Sequence, residues 1–175
     1  MIEYIQGDII KAFEELDDVV LLHQENCSSL HKKGFAKVLY DKYPQANSNS
    51  VMSQYFGNIY DTNINSGKYI INLYSQYYPG NPSNKPGKYQ GFEVIDNYVN
   101  RIKALQYCLK GVVYFVDNLE ETLQDKYTII MPLIASGLAK DSTKEYTSDL
   151  DYFQRYIASV IEEYLEDYNV KVYYL

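Results

Sequence analysis

The chain has 175 residues, 46% hydrophobic and 22% charged, the size and composition of one globular domain with a single substantial core. Its formal charge of -7, from 16 basic against 23 acidic residues, argues against general nucleic-acid binding, which runs on phosphate neutralisation by Lys and Arg. No stretch approaches the roughly 18 uninterrupted apolar residues of a membrane span, and Cys27 and Cys108 show neither metal-ligand spacing nor enough thiols for a disulfide framework.

In chain order, Ile2 to Ile5 reads as a short strand, Gln6-Gly7-Asp8 as a turn and Ile9 to Leu16 as a short helix. Val19-Val20-Leu21-Leu22 is a continuous apolar run, the habit of a strand buried on both faces of a parallel sheet. A polar loop, Gln24 to Lys33, is followed by apolar residues at helical spacing from Phe35 until Pro44 stops the helix. Residues 45 to 56 read as irregular, and Gly57 to Tyr60 and Lys68 to Tyr74 as strands. Tyr78 to Gly87 holds three prolines and two glycines, the composition of a loop long enough to act as a flap. Val94, Ile95, Tyr98, Val99, Ile102, Leu105 and Leu109 trace the stripe of a long helix. Tyr127 to Met131 is a buried strand, Pro132 to Lys140 a loop of small residues, Leu150 to Tyr164 a second amphipathic helix and Asn169 to Tyr174 a closing strand. The alternation predicts a single α/β domain over residues 1–175, with a largely parallel sheet covered on both faces.

In such folds ligands bind beyond the carboxyl ends of the strands. One candidate loop follows Val19 to Leu22 and runs from His23 to Ala36; the other follows Tyr127 to Met131 and runs from Leu133 to Lys140. Each carries a glycine, Gly34 or Gly137, that lets backbone approach a phosphate with no Cβ in the way. Free N–H groups and a helix N-terminal dipole there make an anion site, and two such loops side by side suit a diphosphate.

Gly7-Asp8-Ile9 after the first strand, the loop His23 to Ala36, the segment Met131 to Gly137 and the terminal Val172-Tyr173-Tyr174-Leu175 resemble, in order and spacing, the macrodomains. The closest likeness is to the branch of yeast-type ADP-ribose-1''-phosphate phosphatases and terminal ADP-ribose glycohydrolases. The resemblance implies a three-layer α/β/α fold with a mixed, largely parallel central sheet, and ADP-ribose or a derivative as partner. It implies that Asp8 accepts from the adenine amino group with the backbone of Ile9 alongside, and that Asn26 heads the ribose loop. Gly34, Phe35 and Ala36 would wrap the diphosphate and distal ribose; Ser136, Gly137, Leu138 and Ala139 would form the second phosphate loop. His23 matches a histidine of the phosphatase branch, which makes His23 and Asp141 the candidate acid and base for removing the 1''-phosphate.

The departures matter as much. Where the glycohydrolase branch places a lysine this chain has Gln76, and where that branch has an aspartate it has Ala139; neither forms a Schiff base nor shuttles a proton. Lys32 and Lys33 stand where glycine is frequent, either as point charges near an extra phosphate or as two solvated lysines. Alternatives stay open elsewhere. Asp8 also fits a helix N-cap, His23 a hydrogen-bonded core histidine, and Cys27 lacks an identifiable activating base. The functions in view are phosphatase, a module that reads or sequesters ADP-ribose or an ADP-ribose-derived signal, and a protein-interaction domain without ligand. No cofactor or metal is implied, and no membrane or nucleic-acid partner. The N-terminus lacks a signal-peptide pattern, so the expectation is a cytoplasmic monomer. The 21 tyrosines, the absence of tryptophan and the two arginines resemble the coding bias of a low-GC bacterium or its phage.

Overall fold

The computed structural model describes residues 1–28, 33–48, 55–89 and 92–175. The chain runs through β1 (Glu3–Gln6), α1 (Ile9–Glu15), β2 (Val19–Asn26), α2 (Gly34–Lys42), β3 (Ile59–Asn65) and β4 (Lys68–Gln76). It continues through β5 (Pro86–Tyr89), β6 (Phe92–Ile95), α3 (Tyr98–Leu123), β7 (Thr128–Pro132), α4 (Asp149–Tyr156), α5 (Ala158–Leu165) and β8 (Asn169–Tyr174). Six strands form one sheet in the order β1-β8-β7-β2-β4-β3. Every neighbouring pair is parallel except β3 against β4, so the sheet is mixed and largely parallel. The pair β5–β6 stands apart as an antiparallel hairpin.

The apolar run of β2 explains the three layers. Successive side chains point to opposite faces of a strand, and Val20 and Leu22 join one core cluster while Val19 and Leu21 join the other. The first cluster gathers Leu105, Leu109 and Val112 of α3 with Phe153 and Ile161 from α4 and α5. The second takes Ile9, Ile10 and Phe13 of α1 and Leu39 and Tyr40 of α2. Ile129 and Met131 face the first cluster and Ile130 the second, so β7 repeats the pattern.

Local chemistry sets the helix starts. Asp8 caps α1, its Oδ1 accepting from the N–H of Ile10 at 2.8 Å and of Lys11 at 3.3 Å; Asn97 and Ser148 cap α3 and α4 in the same way. Such caps satisfy N–H groups that have no partner within the helix.

Four expectations need correcting. The strand after Asp18 does not stop at Leu22 but reaches Asn26, so His23 to Asn26 are strand and the loop is shorter than the sequence suggests. The polar residues stay in the ladder because β4 offers matching partners, Asn72 for His23 and Ser75 for Gln24. Val94 and Ile95 do not open the long helix; they lie in β6, paired with β5, and Asn97 starts the helix at Tyr98. Gly57 sits in a turn with φ +91°, ahead of a strand running to Asn65. The helix predicted over Leu150 to Tyr164 is interrupted at Ile157, whose φ of -118° separates α4 from α5.

Phe13 is fully buried beneath β2 and β7, edge-on to Tyr43 at 5.5 Å. Phe13→Ala is expected to destabilise the fold by about 3–5 kcal/mol through lost burial and a residual cavity. Urea unfolding checks this; a loss below about 1 kcal/mol would mean that the α1 face is not closely packed.

Candidate functional site

Because β1, β2, β4, β7 and β8 are parallel, their carboxyl ends share one edge of the sheet, and four connections emerge there. These are Gly7–Asp8, the segment that leaves β2 after Asn26, the loop 77–85 and the loop 133–140. Residues 29–32, and with them Lys32, lie outside the described residues.

The loop after β7 is held from beneath. Ala135 takes a left-handed φ of +57°, unusual for a residue with a Cβ, and its N–H donates to Gln24 Oε1 at 2.9 Å. Gln24 is itself set by β4, its Nε2 donating to Ser75 Oγ at 2.9 Å. Ser136 precedes a single 3-10 turn, Gly137–Ala139, and Gly137 has φ +62°. Leu138 is 78% exposed at the crest, and Ser136 Oγ donates to Ile134 O at 3.4 Å. The far end is fixed by Tyr152, whose hydroxyl accepts from the N–H of Asp141 at 3.0 Å. Burial pushes the Tyr152 phenol up to about 12, so it stays neutral.

Arg101 and Asp96 form a buried ion pair under this edge. Arg101 Nε donates to Asp96 Oδ1 at 2.9 Å and Nη2 to Oδ2 at 2.6 Å, a bidentate pair. The remaining guanidinium donors reach backbone carbonyls: Gly80 at 2.7 Å, Tyr78 at 3.1 Å, Asn81 at 3.3 Å and Ala139 at 3.5 Å. Asp96, fully buried, also accepts from the N–H groups of Tyr77 and Tyr78, each at 3.0 Å. One ion pair thus ties the 77–85 loop to the start of α3 and to the loop after β7.

The loop after β2 enters α2 at Gly34, with φ +56°. Lys33 occupies the cap position without a side-chain cap bond, unlike Asp8, Asn97 and Ser148. Phe35 and Ala36 pack on the α1–α2 core, Phe35 edge-on to His23 at 6.1 Å. His23 itself is buried, its Nε2 2.8 Å from Asn72 Oδ1 and 3.0 Å from Tyr40 Oη. Asn72 Nδ2 donates to Ala46 O at 2.8 Å, which turns its oxygen towards His23 and assigns the proton to Nε2. Burial, and then neighbouring Glu25, hold the Tyr40 phenol far above its ordinary value; it donates to Glu25 Oε2 at 2.6 Å. Asn26, at the end of β2, is buried with its N–H on Glu25 Oε1 at 3.0 Å. Gln76, its neighbour across β4, is also buried, and its Oε1 has no hydrogen-bond partner among the described residues.

The predicted residues therefore fall into two groups. Asn26 ends β2 and Gly34, Phe35 and Ala36 open α2, with Phe35 beside His23 of the same strand, and Ser136 to Ala139 form the crest after the adjacent β7. Asp8 and Ile9 stand at the start of α1, Ile9 being buried in the core and Asp8 exposed. The candidate acid and base are not brought together: His23 lies on the α1–α2 face, while Asp141 is bound by Tyr152 on the α4 face. Asp141 Oδ1 instead accepts from Thr143 N and Oγ1, at 3.0 and 2.7 Å. Cys108 is fully buried, which pushes its thiol up. Among the described residues no cluster of His, Cys, Asp and Glu could hold a metal ion, and no helix is long and apolar enough to cross a membrane. Sequence reasoning missed Gln24, Asp96 and Arg101; the only signal was the scarcity of arginine, with Arg101 five residues after an aspartate.

No protein-family model matches the chain, and no curated protein does. Solved structures do. A Bacteroides thetaiotaomicron protein of unknown function superposes with a TM-score of 0.65 at 24% identity, covering 100% of this chain and 98% of its own. A Streptomyces coelicolor macrodomain protein gives 0.63 at 16% identity, with coverage of 100% and 99%. The macrodomain of Mycobacterium tuberculosis DarG gives 0.56 at 19%, with coverage of 99% and 97%. The fold is that of the macrodomains, the three-layer α/β/α architecture described above.

Replacing Asp96 leaves the Arg101 guanidinium buried without its counter-charge. Asp96→Ala is expected to destabilise the fold by about 3–5 kcal/mol, the usual loss when one partner of a buried pair is removed. Denaturant midpoints measure it; a change within about 0.5 kcal/mol, typical of surface substitutions, would show that the pair carries no structural weight.

Proposed function

We propose that the chain binds ADP-ribose, or a derivative that keeps the diphosphate, across the carboxyl ends of β2 and β7. The observation that carries this reading is the pair of glycines in left-handed backbone, Gly34 and Gly137, on the loops that leave these two adjacent strands. Left-handed turns expose successive N–H groups on a concave surface, and the first turn of α2, whose cap residue Lys33 makes no side-chain cap bond, adds N–H groups and a dipole. Both suit a diphosphate. The resemblance in order and spacing of Gly7-Asp8-Ile9, the two loops and the C-terminal strand supplies the rest of the ligand.

Asp8 fits both roles open in the sequence. Its two cap bonds fall on Oδ1, so Oδ2 remains as an acceptor for an adenine amino group beside the backbone of Ile9. Asn26 would meet the ribose, Phe35 and Ala36 the distal ribose, and Ser136 to Ala139 the phosphates.

The finer reading, dephosphorylation of ADP-ribose 1''-phosphate, asks His23 and Asp141 to act as acid and base. His23 with its Nε2 engaged by Asn72 and Tyr40, and Asp141 on the opposite face of the sheet, favour a module that reads or sequesters the ligand without turnover. Gln76 and Ala139 argue in the same direction against lysine-dependent glycohydrolysis.

Calorimetry with ADP-ribose tests binding. Asp8→Ser retains the helix cap and removes the second oxygen, so it should weaken affinity by about tenfold, one charged hydrogen bond. Absence of heat with the unaltered chain would contradict the reading. With ADP-ribose 1''-phosphate the expected phosphate release stays at background, before and after His23→Ala; release abolished by that substitution would restore the phosphatase reading.

A further inference from the structure

We propose that Arg101, through its pair with Asp96, is a positioning residue that makes the 77–85 loop and the second phosphate loop one mechanical unit. This rests on the ADP-ribose reading for its functional consequence, though the coupling itself stands on geometry. Arg101 Nη1 donates to Gly80 O of one loop at 2.7 Å and reaches Ala139 O of the other at 3.5 Å. Nη2 adds Tyr78 O and Asn81 O, and Asp96 receives the Tyr77 and Tyr78 amides. Asp96 also ties its own backbone to this loop, its N–H donating to Lys85 O at 3.0 Å and its carbonyl accepting from Ser83 N at 2.8 Å.

The geometry suits this role and no contact with ligand. Arg101 is 5% exposed and Asp96 fully buried, and their donors and acceptors are engaged with each other and with backbone groups. A planar guanidinium can serve a carboxylate and several carbonyls in different directions, which a lysine ammonium on its single terminal atom cannot. The first half of the proline- and glycine-rich stretch that reads as a flap, Tyr78 to Asn81, is therefore fastened to α3 by the same side chain that reaches the end of the second phosphate loop. Ordering one loop orders the other.

The test is backbone hydrogen exchange of the full chain, with Arg101→Lys as the conservative variant and Arg101→Met/Asp96→Asn as a neutral pair of similar shape. In either variant, once folded by circular dichroism, exchange should accelerate in both 77–85 and 133–140, while α1 and its Asp8 cap keep wild-type rates. Kd for ADP-ribose should rise about tenfold or more, the usual effect of displacing a site by removing its support. Faster exchange in 77–85 with 133–140 unchanged, or no change in either, overturns the proposal. Should both variants fail to fold, the unaltered chain decides it: the two segments must open with one shared denaturant dependence, and separate openings overturn the coupling. A wild-type chain that gives no heat with ADP-ribose refutes the binding reading alone, since the exchange experiment needs no ligand.

Discussion

A buried carboxylate and a buried guanidinium brace the loops at the carboxyl edge of the sheet. Taking the Asp96–Arg101 pair out of water is costly, and the attraction between the partners repays it only where the remaining donors and acceptors are also satisfied. Here they are: the carboxylate accepts two amides besides the arginine, and the guanidinium reaches four carbonyls. The pair sits where β6 gives way to α3, at the point where two long loops meet the helix. Loops at the carboxyl edge have no ladder of their own, so side chains from rigid elements must supply their backbone partners. Arg101, Gln24 and Tyr152 do that for the loop after β7, each from a different element.

The central strand β2 carries this division of labour into its own sequence. Its apolar half alternates between the two cores, and its polar half continues the alternation. His23 and Glu25 join Tyr40 and Asn72 on the α2 face, whereas Gln24 reaches Ser75 and the loop after β7 on the α3 face. Polar groups in the interior must be hydrogen-bonded, so two networks form, one beside the start of α2 and one under the loop after β7. The same pattern separates the two residues proposed for acid–base chemistry, because His23 belongs to one face and Asp141 to the other.

Much of the architecture was legible in the sequence. The run Val19 to Leu22 announces a strand buried on both faces, the strand–helix alternation announces a parallel sheet, and the glycines at 34 and 137 lie where the backbone does turn left-handed. What escaped reading has physical causes. His23 to Asn26 look like loop because their polarity is compensated only across the sheet, by Asn72 and Ser75 some fifty residues away. The β5–β6 hairpin hides in a stretch whose Val94 and Ile95 fit helical spacing as well as strand alternation. Ala135, left-handed without being glycine, donates its N–H to Gln24, a partner that local sequence does not encode. Arg101 and Asp96 are ordinary charges in sequence and acquire their role only when two loops fold over them.

The most direct test of the central claim is an amide NMR titration of the intact chain with ADP-ribose. Binding across the ends of β2 and β7 predicts that the largest shifts fall together on Gly34 to Ala36, on Ser136 to Ala139 and on the amides of Asp8 and Ile9, saturating with one binding curve. Shifts confined to another surface, or no shifts at saturating ligand, would contradict it.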